Sequence, residues 1–151
     1  MKKILSILLV IVILFSLTAC GNKDQKLTME YANKKIIIEC GKDFILRQGI
    51  FTDDAVQFSI FDAEKNNFAV GYLVNLELFD QFKTLIEDDE SVTIYNTSNT
   101  LLYYSCVNDE DNTLTEYDRI IKIDDICIMV LAGIDKDKVD SFYESMEITH
   151  K

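Results

Sequence analysis

The chain is predicted to be an α+β domain: mainly an antiparallel sheet, with one or two helices packed on a face. Short β-branched and aromatic runs, separated by polar turn residues, recur from Lys35 onward. Two segments, one ending near Glu87 and one near Glu144, switch to helical period. Strands and helices do not alternate as βαβ units, so no parallel sheet is expected. The chain has no proline and no visible repeat or linker, which favours one core.

The elements follow in order. Lys35 to Cys40 is a β-branched run that stops at the turn signal Gly41-Lys42. Asp43 to Phe51 resumes the apolar character. In Ala55 to Phe61, Val56, Phe58 and Ile60 alternate with Gln57 and Ser59, the pattern of a half-buried strand. Phe68 to Val74 completes two hairpins or a meander. Asn75 to Glu87 is predicted helical, because Leu78, Phe79, Phe82, Leu85 and Ile86 make one stripe, with Asn75 as its N-cap. Ser91 to Tyr95, Thr100 to Val107, Leu114 to Ile123 and Ile126 to Ile134 have strand composition. The short connection Asp124-Asp125 predicts a tight hairpin between the last two. Asp135 is placed to cap a terminal helix whose stripe is Val139, Phe142, Tyr143 and Met146.

The first twenty residues carry an address. Lys2 and Lys3 precede an apolar run, Ile4 to Phe15, which is followed by Leu17-Thr18-Ala19-Cys20. A cationic start, an apolar centre and small residues at a cut site make a secretory signal layout. The run is short for a spanning helix, which takes about 20 apolar residues. The tetrapeptide resembles the lipobox of bacterial lipoproteins. That resemblance implies removal of residues 1–19, a lipid on the sulfur of Cys20 and an anchor on the extracytoplasmic face of the cell membrane. It divides the chain into the signal peptide (1–19), a lipidated tether (20–33) and a single domain (34–151). With two or three acyl chains, at about 0.8 kcal/mol per buried CH₂, such an anchor holds firmly.

Charge narrows the partners. The formal charge of the full chain is −11, and loss of Lys2 and Lys3 without any acid makes it −13. So acidic a surface repels nucleic acid and anionic headgroups, and no nucleic-acid partner is expected.

No catalytic constellation emerges. The single histidine, His150, lies at the chain end, which disfavours Ser-His-Asp and Cys-His machinery. No GxSxG, phosphate-binding glycine loop or HExxH is present. After Cys20 there remain Cys40, Cys106 and Cys127, without CxxC spacing and set among apolar residues; buried thiols are the favoured state. If a disulfide forms, Cys106–Cys127 is the expected pair. Asn108 to Asn112 begins like a calcium loop but lacks the glycine and glutamate an EF-hand requires. No metal ligand, cofactor or catalytic residue is therefore assigned. Tyr95, Tyr103, Tyr104 and Tyr117 concentrate in the second half, and alternation puts Tyr103 and Tyr104 on opposite faces.

The expected function is that of a lipid-anchored binding module engaging an envelope protein or peptide. The alternatives are a carboxylate-dependent hydrolase of envelope polymers, which needs two facing acids about 5–10 Å apart, and a small-ligand carrier, which needs an apolar cavity between sheet and helix.

Overall fold

Strand formation begins at Lys26, earlier than the sequence pattern indicates. A computed structural model describes residues 25–52, 54–107 and 114–151. Within them run β1 (Lys26–Tyr31), β2 (Lys34–Glu39), β3 (Phe44–Phe51), β4 (Val56–Asp62), β5 (Asn67–Asn75), α1 (Leu78–Glu87) and β6 (Thr93–Thr97). β7 (Leu101–Val107), β8 (Thr115–Ile123), β9 (Cys127–Gly133), α2 (Lys136–Ser145) and β10 (Glu147–His150) follow. The predicted α+β class with a mainly antiparallel sheet is what forms.

Seven strands build one antiparallel sheet in the order β3-β4-β5-β9-β8-β7-β6. The meander β3-β4-β5 pairs one strand to the next, and α1 then carries the chain to the far edge at β6. A second meander, β6 to β9, returns and closes against β5. A smaller sheet, β1-β2-β10, joins the first described strand to the last. It lies with α2 over one face of the large sheet, while α1 covers part of the other.

Side-chain alternation explains these layers. In β4, Val56, Phe58 and Ile60 are buried in the same cluster as Met29, Ile36 and Ile38 of the small sheet. On β9 both faces are covered, so Cys127 to Leu131 is an unbroken apolar run: Met129 and Leu131 face the small sheet, Ile128 and Val130 face α1. Each fully buried aliphatic or aromatic side chain contributes about 1.5–3 kcal/mol. A Cβ at Gly71 would lie 2.0 Å from Cζ of Phe58, so the missing side chain makes the space that this ring fills. At Gly133 a Cβ would meet Val139 at 2.4 Å, and its absence lets α2 approach the sheet.

Three expectations change. The segment 20–33 is not all tether, since β1 pairs with β2 from Lys26↔Glu39 to Tyr31↔Lys34. Its hairpin turns at Ala32 and Asn33, both at positive φ (50° and 61°), without the glycine that would have advertised it. Asn75 does not cap α1: the capping position is Glu77, and Asn75 instead accepts the Glu77 N–H at 2.9 Å in an Asx-type turn. The chain end is not frayed, because β10 pairs with β2 and Lys35 and Lys151 exchange backbone hydrogen bonds at 3.1 and 3.0 Å. His150 lies there and meets Asp124 at 2.6 Å. Asp135 does cap α2, accepting the Lys138 N–H at 3.2 Å.

Candidate functional site

The β7–β8 hairpin carries most of the polar groups buried in the large sheet, and it presents a different chemistry on each face. The register Tyr103↔Arg119, Tyr104↔Asp118, Ser105↔Tyr117 and Cys106↔Glu116 fixes which side chains meet. Alternation sends Tyr103, Ser105, Tyr117 and Arg119 toward the α2 side. Tyr104, Cys106, Glu116 and Asp118 point to the α1 side, in line with Leu102 and Ile120 of the α1 core.

On the α2 side the charges are compensated. The Arg119 guanidinium lies between two rings, 3.9 Å from the Tyr103 centroid and 4.0 Å from that of Tyr143. It donates to Asp140 Oδ1 at 2.6 Å, and the Tyr103 hydroxyl donates to the same oxygen at 2.8 Å. Lys136, one turn away on α2, donates to Oδ2 at 2.7 Å. Burial pushes the Asp140 carboxyl up, but these three donors outweigh it and hold it below the usual range. The Tyr103 hydroxyl is raised, by burial first and then by donating to Asp140.

Outside this network Tyr95 stacks on Tyr103 with centroids 4.6 Å apart, and its hydroxyl lies 3.2 Å from Ser105 Oγ. Tyr95 keeps 45% of its surface exposed on β6, the outermost strand of the sheet. All five β6 residues, Thr93, Ile94, Tyr95, Asn96 and Thr97, are exposed, and none is charged. Among the described residues their backbone pairs only with β7. Of the four tyrosines singled out above, Tyr95 is thus exposed, Tyr103 and Tyr104 are buried on opposite faces as alternation requires, and Tyr117 is half-buried.

The α1 side buries two acids on one strand. Glu116 and Asp118, two residues apart on β8, are only 7% and 6% exposed. Asp118 is pushed up to about 8, mainly by burial and then by the charge of Glu116, against a hydrogen bond from Tyr104 that lowers it. The Tyr104 hydroxyl is raised well above its ordinary value, by burial and then by Asp118. Asp118 Oδ1 is buried and accepts no hydrogen bond. A sulfur and two carboxylate oxygens, from Cys106, Glu116 and Asp118, lie within 4.8 Å of one another. The sequence pattern alone gives none of them a ligand role. Their i, i+2 spacing on a strand was visible, but the cysteine joins them only through the hairpin register.

The expected Cys106–Cys127 bridge does not form. Cys106 pairs with Glu116 at one end of β8 and Cys127 with Ile123 at the other, on the far side of that strand. They also face opposite layers, Cys127 in the core under the small sheet and Cys106 beside α1. No disulfide occurs among the described residues, and Cys40 and Cys127 are thiols that burial raises to about 11. Cys20 and Asn108 to Asn112 lie outside the described residues. No family model, curated protein or solved structure matches this chain.

Proposed function

We propose that this protein is a lipid-anchored, extracytoplasmic binding module that takes an extended segment of an envelope protein or peptide against the β6 edge. The observation that carries the reading is β6 itself: five exposed, uncharged residues on an outermost strand, flanked by the Tyr95–Tyr103 stack. An exposed edge offers unpaired N–H and C=O groups to an added strand. Edges that avoid such pairing usually carry lysine or proline, and β6 has neither. Half-exposed Tyr95 within it supplies a rigid anchor of the type that dominates interface energetics. The lipid on Cys20 would confine the search to partners at the membrane.

The hydrolase alternative fits less well. The buried acids Glu116 and Asp118 offer oxygens less than 4.8 Å apart, closer than the roughly 5–10 Å that flanks a glycosidic bond. The carrier alternative is also weaker, because Phe79, Phe82 and Ile86 of α1 are buried directly against Tyr72, Leu102, Tyr104, Ile120 and Ile128.

A photo-crosslinker at Asn96 in membranes tests the reading. The expected result is one specific adduct, lost in Ile94→Lys and Tyr95→Ala and lost when Cys20→Ala releases the chain from the membrane. An adduct that survives both edge substitutions would overturn it.

A further inference from the structure

We infer that Cys106, Glu116 and Asp118 form a binding site for one zinc-type divalent cation, on the face of the β7–β8 hairpin opposite the tyrosine stack. It stands or falls independently of the edge-strand reading.

Three observations meet there. The first is geometric. Cys106 and Glu116 are directly opposed across the ladder, and Asp118 is the next residue of β8 on that face, so three ligand atoms come within 4.8 Å of one another. A cation bonding oxygen at about 2.0–2.2 Å and sulfur at about 2.3 Å spans such a cluster after small side-chain rotations.

The second is an unmet acceptor. Asp118 is 6% exposed, yet its Oδ1 has no hydrogen-bond partner. A buried carboxylate oxygen without a donor is costly, and a second acid beside it adds to the cost. The Tyr104 hydroxyl hydrogen-bonds Asp118, and Oδ1 remains unmet. A cation placed among the three ligands meets that oxygen and lets Asp118 take its charged form beside Glu116.

The third is the donor set. One thiolate with two carboxylates suits a borderline cation such as Zn²⁺; Ca²⁺ and Mg²⁺ take oxygen alone. Three protein ligands leave a fourth tetrahedral position for water. Tyr104, opposite Asp118 and bonded to it, is a positioning residue that holds the carboxylate in place. On binding, the Cys106 thiol proton and the Asp118 carboxyl proton pass to solvent, because only deprotonated ligands coordinate. The cation keeps its charge and no electron moves. Cys106 is half-buried and lies next to the exposed Val107, near the end of the hairpin where β7 leads into β8.

The test uses the full chain in detergent, stripped with chelator and titrated with Zn²⁺, then with Co²⁺ as a spectroscopic probe. The expected result is one equivalent bound, with a thiolate-to-cobalt charge-transfer band. Cys106→Ser should abolish that band and weaken Zn²⁺ by more than about 100-fold; Asp118→Asn should weaken it to a similar degree while the thiolate band survives at saturating Co²⁺. Tyr104→Phe should weaken it by roughly 10–100-fold while retaining the band. The same titration on Cys40→Ser, which should leave affinity and band unchanged, controls for the other half-buried thiol. Absence of saturable Zn²⁺ binding, or a Cys106→Ser chain that keeps both affinity and band, would overturn the site. Circular dichroism of each variant identifies any that fails to fold, and Cys106→Ser, at a half-buried position, then decides.

Discussion

Arg119 and Asp118 are neighbours in the chain, yet they illustrate two opposite ways of burying a charge. Arg119 points toward α2, where its guanidinium N–H donates to Asp140, two tyrosine rings enclose it and Lys136 donates to the second carboxylate oxygen. Asp118 points toward α1, where it meets a hydroxyl, a second acid and a sulfur, and keeps one oxygen without a donor. The first face is a closed network whose parts explain one another. The second leaves Asp118 Oδ1 without a donor, close to a second acid and a sulfur, which is why the cation is assigned to it. Even the closed face is imperfect, since Arg119 Nε is buried without a partner.

The largest contrast should appear on removing one acid from each face. Asp140→Ala leaves the Arg119 guanidinium and the Tyr103 hydroxyl without their acceptor, and should cost about 3–5 kcal/mol in denaturant unfolding, as breaking a buried pair does. Asp118→Asn in metal-free protein at pH 7 should cost far less, because it removes an uncompensated acid and keeps a similar shape.

The pH dependence sharpens the same difference. An unfolded aspartate ionises near 3.8, whereas folded Asp118 holds its proton to about 8. Below pH 4 both states carry the proton and stability is indifferent to it. Between 4 and 8 the unfolded chain has released the proton that the folded chain keeps, so stability falls as pH rises, by at most about 1.4 kcal/mol per pH unit. Above 8 the slope vanishes. Thermal melts of chelator-treated protein across that window should show the fall, and Asp118→Asn should flatten it. Asp140, held below the usual range, should produce the opposite trend at the acid end: its stabilisation is present above the unfolded value and lost as pH drops.

Smaller effects test the tyrosines. Tyr103→Phe removes one donor to a charged acceptor and should cost about 1.5–3 kcal/mol, less the share that Arg119 and Lys136 take over. Tyr95→Ala should leave stability within about 0.5 kcal/mol, since the ring is half-exposed. A large loss there would mean that the stack holds the fold together instead of serving a partner.

Much of the scaffold could be read from residue order. The alternation Val56-Phe58-Ile60 and the α1 stripe Phe79-Phe82-Ile86 are both buried as their periods require. The strands that escaped notice had weak local signals: β1 turns through Ala32-Asn33 without glycine, and β10 is four residues long. The cysteine pairing failed for a different reason. Sequence proximity of two strands says nothing about which face a residue takes or how far along a ladder it lies, and an intervening β8 separates Cys106 from Cys127.

By itself, then, the sequence determined the class, the two helices and most strands, because each depends on local periods or on short contiguous signals. It also determined that Glu116, Asp118 and Ile120 share a face, since a strand repeats every two residues. Only the tertiary structure decided that α1 packs over that face, that Cys106 registers against Glu116, and that Arg119 on the other side finds Asp140 of α2. Those outcomes depend on contacts between distant segments, where packing and register, not local preference, choose the partners. Two acids that composition would place on a solvated surface were thereby enclosed beside a thiol.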